Sequence, residues 1–258
     1  MIKQIEPKMN NEGKKETISF LIANYNNAKY IDDCMESVLA QTNNNWKAYV
    51  LDDLSTDDSK KILEKYKDND KIKIVFSEKN EGYAGTLKKL VELAETDIVG
   101  ILDSDDALYP NAGEVMLNYY QDHQEAEFVY SQFHMCDTNM KVFASGFSAP
   151  INPKQVNIFR LSKYLKVSHF KTFRKSAYSR TEGFDPEIEC AVDKDIALKI
   201  SEVTSLHFID KILYKWRETG SSLSTGIANK QRCRYYINLI VAKAVIRRHS
   251  KSIHHTRF

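Results

Sequence analysis

The chain has 258 residues, 42% of them hydrophobic and 28% charged, with a formal net charge of +2. A chain this long can bury a core without a disulfide or metal staple, and the composition excludes a disordered chain or a cysteine-stapled miniprotein. No run of about 18 consecutive apolar residues is present, which excludes a membrane-spanning helix. Residues 1–16 are polar and charged and lack the apolar stretch of a signal peptide; they are expected to form a disordered lead-in. Cys34, Cys136, Cys190 and Cys233 stand at no CxxC spacing, so they read as reduced thiols, and the chain is expected in the cytoplasm.

From Thr17 the pattern alternates. Thr17–Ala23 is an apolar, β-prone run ending in Asn24, Tyr25, Asn26 and Asn27. Ile31–Gln41 places Ile31, Met35, Val38 and Leu39 at helical spacing. Trp46–Leu51 is a second strand that stops at Asp52 and Asp53, and Ser59–Tyr66 a short helix after the capping residues Ser55 and Thr56. Ile72–Phe76 is a third strand, Tyr83–Ala94 a helix after the Asn80-Glu81-Gly82 turn, and Ile98–Leu102 a fourth strand that ends at Asp103-Ser104-Asp105-Asp106. Strands alternating with helices predict an α/β fold with a mainly parallel central sheet flanked by helices. In such sheets ligands bind outside the carboxyl ends of the strands, and that is where all three polar clusters fall.

The second half is less regular. A helix is predicted from Pro110 to Asp122, with proline in a permitted first-turn position. Strands are predicted over Phe128–Ser131 and Lys141–Phe147, and Ser148–Asn157, with two prolines, as a loop. Asp193–Ser201 is predicted as a helix, Leu206–Ile209 and Ile212–Trp216 as two short strands, and 227–248 as a basic helix.

Asp103, Asp105 and Asp106 are three carboxylates within four positions. Crowded carboxylates repel, and Mg²⁺ or Mn²⁺ relieves that repulsion while recruiting substrate phosphates. A solvated turn is the bland alternative; the position at a strand's carboxyl end favours the metal. A carboxylate at Asp52 or Asp53 can accept from a uracil imide or a ribose hydroxyl, or can cap the following helix.

The ordered series Ile22-Ala23-Asn24-Tyr25-Asn26, Ser37-Val38-Leu39-Ala40-Gln41-Thr42, Leu51-Asp52-Asp53-Leu54-Ser55-Thr56-Asp57, Asn80-Glu81-Gly82 and Leu102-Asp103-Ser104-Asp105-Asp106 resembles family 2 glycosyltransferases of the GT-A fold. The resemblance runs from 17 to about 225. It implies an inverting enzyme that uses a nucleotide-diphospho-sugar, with UDP the commonest nucleotide, in surface polysaccharide synthesis. It puts Ala23 and Tyr25 against the base, Asp53 on uracil or ribose, Asp103 or Asp105 on ribose, and Asp105 or Asp106 on the metal. Ala191-Val192-Asp193-Lys194-Asp195 resembles the family's base segment, so Asp193 would be the catalytic base; Val192 replaces a usual Glu. Gly183-Phe184-Asp185 resembles the turn before that segment. Trp216-Arg217-Glu218-Thr219 resembles a late segment in which Thr219 replaces a usual His and Arg217 would contact the diphosphate. Lys88 reads as a solvated helix position, and His169 either as a structural histidine or as part of the acceptor pocket.

The resulting division is a lead-in at 1–16, a GT-A domain at 17–226 (nucleotide half 17–106, acceptor half 107–226) and a basic C-terminal helical extension at 227–258. That last stretch holds eight Lys and Arg and no Asp or Glu, leaving a net acidic body. An anionic partner is expected for it: a membrane surface that would hold the chain peripherally, or packing on the body or on a second copy in a homodimer. No nucleic-acid motif accompanies the charge. The acceptor is expected to be a saccharide or a lipid-linked one. The rivals are a sugar nucleotidyltransferase, which would want a Gly-rich basic loop at 24–30, and a non-catalytic nucleotide- or glycan-binding module.

Overall fold

The computed structural model describes residues 16–151, 166–220 and 227–255. The expected lead-in, except Glu16, and the second half of the Ser148–Asn157 loop lie outside the described residues.

The first half alternates as the pattern demands. The strands are β1 (Ile18–Asn24), β2 (Trp46–Asp52), β3 (Ile72–Phe76) and β4 (Ile98–Ile101); the helices are α1 (Ile31–Leu39), α2 (Ser59–Leu63, continued by a 3-10 turn to Tyr66) and α3 (Gly82–Leu93). These four strands pair in parallel in the order β3-β2-β1-β4. All of β1 is buried because both of its faces are covered. Phe20 and Ile22 point into one core cluster with Met35 and Val38 of α1. Leu21 and Ala23 point into the other with Leu87 and Leu90 of α3. The period of two along the strand meets the helical period of its neighbours.

The second half continues the same sheet in mixed directions. β5 (Ala107–Leu108), α4 (Ala112–Asp122), β6 (Phe128–Cys136), β7 (Val142–Ser145), β8 (Thr172–Arg174), α5 (Lys175–Tyr178), α6 (Val192–Ser201), β9 (Leu206–Arg217) and α7 (Ile227–His255) follow in order. β8 joins β4 antiparallel and carries β6, β9 and β5 beyond it, with β7 on the side of β6. Three details differ from the sequence pattern. The two short strands expected over 206–216 are one strand, β9. Asp210 and Lys211 form an irregularity where the register against β6 shifts from Ser131↔Ile209 to Gln132↔Ile212, so a polar pair that reads as a break is a bulge. α4 starts at Ala112 rather than at Pro110, whose carbonyl instead accepts the Thr42 N–H at 2.8 Å. The short elements β5, β8 and α5 have too few residues to show a period.

The cysteine reading is corrected. Cys190 and Cys233 are joined in a disulfide, with Cα atoms 5.2 Å apart and a sequence separation of 43; Cys34 and Cys136 are buried free thiols. No spacing rule reaches across such a separation, because the pair exists only once α7 has folded back onto the loop before α6. The basic character of α7 also finds partners within the chain. Lys243 pairs with Asp185 at 2.7 Å and Arg247 with Glu202 at 2.9 Å, and Arg232 pairs with Glu189. The acidic body is thus one anionic partner of this helix. Ile240 and Ala244 of α7 are buried. Among the described residues no helix is long and apolar enough to cross a membrane.

Candidate active site

The carboxyl ends of β1, β2 and β4 open on one cavity of about 1030 Å³. Its nucleotide-side rim is built by loops that lock each other. Asn24, 1% exposed, donates from Nδ2 to Asp52 Oδ2 at 2.7 Å, and the Ser55 N–H donates to Asp52 Oδ1 at 2.9 Å. Asn26 sits at a positive φ of 53° and accepts the Thr56 N–H at 2.7 Å. Asp53 accepts the N–H groups of Glu81 and Gly82 at 2.7 and 2.9 Å, one on each oxygen. It therefore ties the β2 loop to the start of α3, where Gly82 takes a φ of 71° that favours glycine. Ala23, Tyr25 and Asp53 all line the cavity, and Tyr25 is 50% exposed there. Two buried polar atoms on this wall, Asn24 Oδ1 and Thr86 Oγ1, have no hydrogen-bond partner among the described residues. Unmatched buried polar atoms are rare in folded proteins unless a ligand or water serves them.

The acidic run after β4 forms the next wall. Asp103 accepts the Tyr83 hydroxyl. Asp106 is 1% exposed and accepts the Tyr214 hydroxyl and the Arg217 N–H, both at 2.7 Å. Burial raises the Asp103 carboxyl above its ordinary value. Burial, with Asp105 and Asp103 adding, pushes Asp106 well above it, and burial with Asp103 pushes Asp105 up to about 6. The oxygens of Asp103, Asp106 and the imidazole of His169 offer ligand atoms that all lie within 4.8 Å of one another. His169 stacks on Tyr214, ring centroids 4.5 Å apart, and burial with the nearby Lys171 pushes its pKa down to about 3, so its lone pair is free to bind a cation. Asp105 lines the cavity and, among the described residues, takes no hydrogen bond from another residue's side chain. This donor set fits a hard divalent ion, whose charge would offset the burial that raises all three carboxyls and the crowding that adds to it at Asp105 and Asp106.

Arg217 is a correction. Expected at a diphosphate, it is 1% exposed and does not line the cavity. Its Nε donates to the Asp105 carbonyl at 2.6 Å, one terminal nitrogen to the Thr138 carbonyl at 2.6 Å and the other to Asp33 at 2.7 Å, and the guanidinium lies over the Tyr30 ring. It holds the backbone of the acidic run. Lys88 is exposed on α3 away from the cavity, as a solvated helix position requires.

The far wall comes from the second half. α6 begins after Ala191, which adopts a left-handed φ of 61°, and its first turn presents Asp193. The helix carries the buried i,i+4 pair Asp195–Lys199 at 2.6 Å, and Lys199 ties it to the preceding loop by donating to the Gly183 carbonyl at 2.8 Å. Val192 is 3% exposed, so the position where the resembled family has a Glu belongs to the core. Asp193 is 37% exposed on its side chain and pairs with Lys171, itself 4% exposed, at 3.2 Å. Burial would raise the Asp193 carboxyl, but Lys171, with smaller contributions from His169 and Lys194, holds it below the ordinary value. It is an anion wherever the protein is folded near neutral pH. Arg232, Cys233 and Ile237 of α7 complete the rim, together with Cys190, which is bonded to Cys233. Tyr83, Lys171, Tyr214 and the disulfide escaped sequence reasoning. A tyrosine beside the Gly82 turn and a lysine two residues after His169 were the only traces they left.

The sequence pattern of glycosyl transferase family 2 matches residues 19–181. The chain is 35% identical over 198 residues to chondroitin synthase of Escherichia coli, a match that covers 76% of this chain and 28% of that protein. The chain thus spans about a quarter of the length of that relative. Among solved structures, a fragment of S. aureus TarS in complex with UDP-GlcNAc superposes with a TM-score of 0.66 at 20% identity, covering 87% of this chain and 65% of the other. The mannosyltransferase PcManGT from Pyrobaculum calidifontis in complex with GDP-Man and Mn²⁺ gives 0.64 at 17% identity, covering 90% and 65%. The mixed sheet with its flanking helices is the GT-A fold, and the chain belongs to glycosyl transferase family 2.

Proposed function

We propose that the chain transfers a sugar from a UDP-sugar to a saccharide or lipid-linked acceptor with inversion at the anomeric carbon, in the assembly of a polysaccharide. The observation that carries the reading is that two separate acidic centres, Asp103–Asp106 and Asp193, face one cavity from different walls. An inverting transfer needs that division, because the leaving diphosphate departs from one face of the sugar while the acceptor hydroxyl attacks the other.

In this reading Tyr25 and Ala23 flank the base. Asp53 keeps the rim in place and offers its remaining lone pairs to uracil or ribose. Asp103, with Tyr83 fixing its orientation, meets the ribose or the cation. Asp105 and Asp106, with His169 beside them, hold Mn²⁺ or Mg²⁺. Asp105 is the freer ligand, since both Asp106 oxygens already accept protein hydrogen bonds. When bound, the cation neutralises charge that develops on the diphosphate. Asp193 accepts the proton of the acceptor hydroxyl as it attacks. A UDP donor fits the UDP-GlcNAc seen in the TarS structure, and a sugar polymer as acceptor fits the chondroitin synthase relative.

The test is UDP release from a panel of UDP-sugars supplied with oligosaccharide acceptors, in Mn²⁺ and in EDTA. The reading expects release with at least one pair in Mn²⁺, its loss in EDTA and its loss in Asp193→Asn. Nucleotide binding with no turnover for any pair would leave a binding module instead.

A further inference from the structure

Lys171 lies at the join between the two acidic walls. It immediately precedes β8, and its carbonyl accepts the Ile101 N–H at 3.0 Å, two residues before Asp103 in the chain. Its backbone is therefore fixed to the strand that delivers the acidic run. Its side chain runs the other way, to Asp193 Oδ2 at 3.2 Å. The segment cannot slide: Phe170 and Thr172 on either side are fully buried, and Thr172 Oγ1 donates to the Val129 carbonyl at 3.1 Å.

Stability alone does not account for this lysine. Burying an ammonium costs several kcal/mol unless a well-matched partner repays it. Its partner is 37% exposed, a half-solvated carboxylate that returns little. Asp193 for its part could turn outward on the first helical turn, where the helix dipole already favours an acid. Among the described residues, Lys171 makes the one ion pair that holds it inward. The same ammonium lies near enough to Asp103 to offset its repulsion with Asp193.

We infer that Lys171 is a positioning residue: it holds the Asp193 carboxylate over the cavity, in register with the acidic run on β4, so that base and donor site keep a fixed geometry. This rests on Asp193 being the base. Lys171 does not touch the reacting atoms, and its effect passes through Asp193.

The experiment compares the full chain with Lys171→Met and Lys171→Arg, each alone and combined with Asp193→Asn. UDP-N-acetylglucosamine and Mn²⁺ are the probe, with UDP release as the kinetic readout. Aspartate-selective ¹³C NMR follows the Asp193 carboxyl, assigned by its absence in Asp193→Asn. The expected result for Lys171→Met is an Asp193 ionisation midpoint raised by a unit or more, kcat down at least tenfold and KM for the donor within twofold. Lys171→Arg restores most of both. On the Asp193→Asn background Lys171→Met adds no further loss. An unmoved Asp193 signal overturns the inference whether or not the donor is turned over. So does a rise in KM at constant kcat, which would make Lys171 a substrate contact. Should Lys171→Met not fold, Lys171→Gln, which removes the charge and keeps a polar end, decides through the same resonance: a raised Asp193 midpoint supports the inference, and an unmoved one overturns it. Turnover that survives in Asp193→Asn would instead sink the assignment of the base and leave the NMR result standing.

Discussion

The two ends of the cavity use their carboxylates in opposite ways. At the nucleotide rim, Asp52 and Asp53 have both oxygens engaged by Asn24, Ser55, Glu81 and Gly82. In the acidic run Asp103, Asp105 and Asp106 are buried and crowded even though Tyr83, Tyr214 and the Arg217 N–H meet two of them, and across the cavity Asp193 pairs with Lys171. Acids at strand ends are therefore not equivalent. Those that meet backbone amides build loops, and those that meet other acids or a lone cation are kept for a ligand.

Asp193→Asn should break the chemistry most. Removing a general base is expected to lower kcat by about 10²–10⁴-fold, read by UDP release, with UDP affinity within a few-fold of the parent. Asp105→Asn should act on the other end: Mn²⁺-supported UDP affinity should fall on the order of 100-fold, measured by calorimetry, and the melting temperature should hold or rise, because one repelling charge is gone. If Asp105→Asn instead melts lower with affinity intact, the acidic run belongs with the loop-building acids at the rim.

Arg217→Met sharpens the same contrast from the structural side. Three buried hydrogen bonds and the contact with Tyr30 would be lost, for a cost of about 3 kcal/mol, seen in urea unfolding. A diphosphate contact would give the reverse: weakened UDP binding with stability unchanged. Cys190→Ser should cost about 2–4 kcal/mol in oxidising buffer, since it opens a long loop, and nothing in dithiothreitol. An equal melting temperature for parent and variant in both buffers would mean that the staple contributes nothing to the α7 contact.

The smallest effect is in pH. The Asp105 carboxyl holds its proton to about pH 6 in the folded chain, whereas an unfolded aspartate releases it near 3.9. The folded state thus binds more protons between those values, and the cation-free protein should lose stability as pH rises through about 6. Mn²⁺ binds the ionised form, so its stabilisation should be larger at pH 7 than at pH 5. A melting-temperature shift with Mn²⁺ that is equal at both pH values would remove Asp105 from the ligand set.

How much of this was legible in sequence follows from the same division. The parallel half was readable because each strand is a short apolar run closed by polar residues, and because buried strands between helices leave a regular period. That brought Asn24–Asn27, Asp52, Asp53 and the Asp103–Asp106 run to attention in one step, while Ala23 and Tyr25 as base contacts came from the family resemblance. The second half was not, because its pairings are between distant segments: β8 has three residues, β9 hides a bulge, and Cys190 meets Cys233 only through tertiary packing. Arg217 was expected at a diphosphate from the resemblance of the 216–219 segment, and its three acceptors, all distant in sequence, show only in the fold. Lys171 was invisible because its partner lies on another element and nothing in its own neighbourhood predicts a buried ammonium.

The central claim is that the carboxylates at 103–106 present a cation to a nucleoside diphosphate. Calorimetric titration of UDP into the parent chain, once with Mn²⁺ and once with EDTA, tests it most directly. The account predicts saturable binding in Mn²⁺ that disappears in EDTA. Equal affinity in both buffers, or no heat in either, would contradict it.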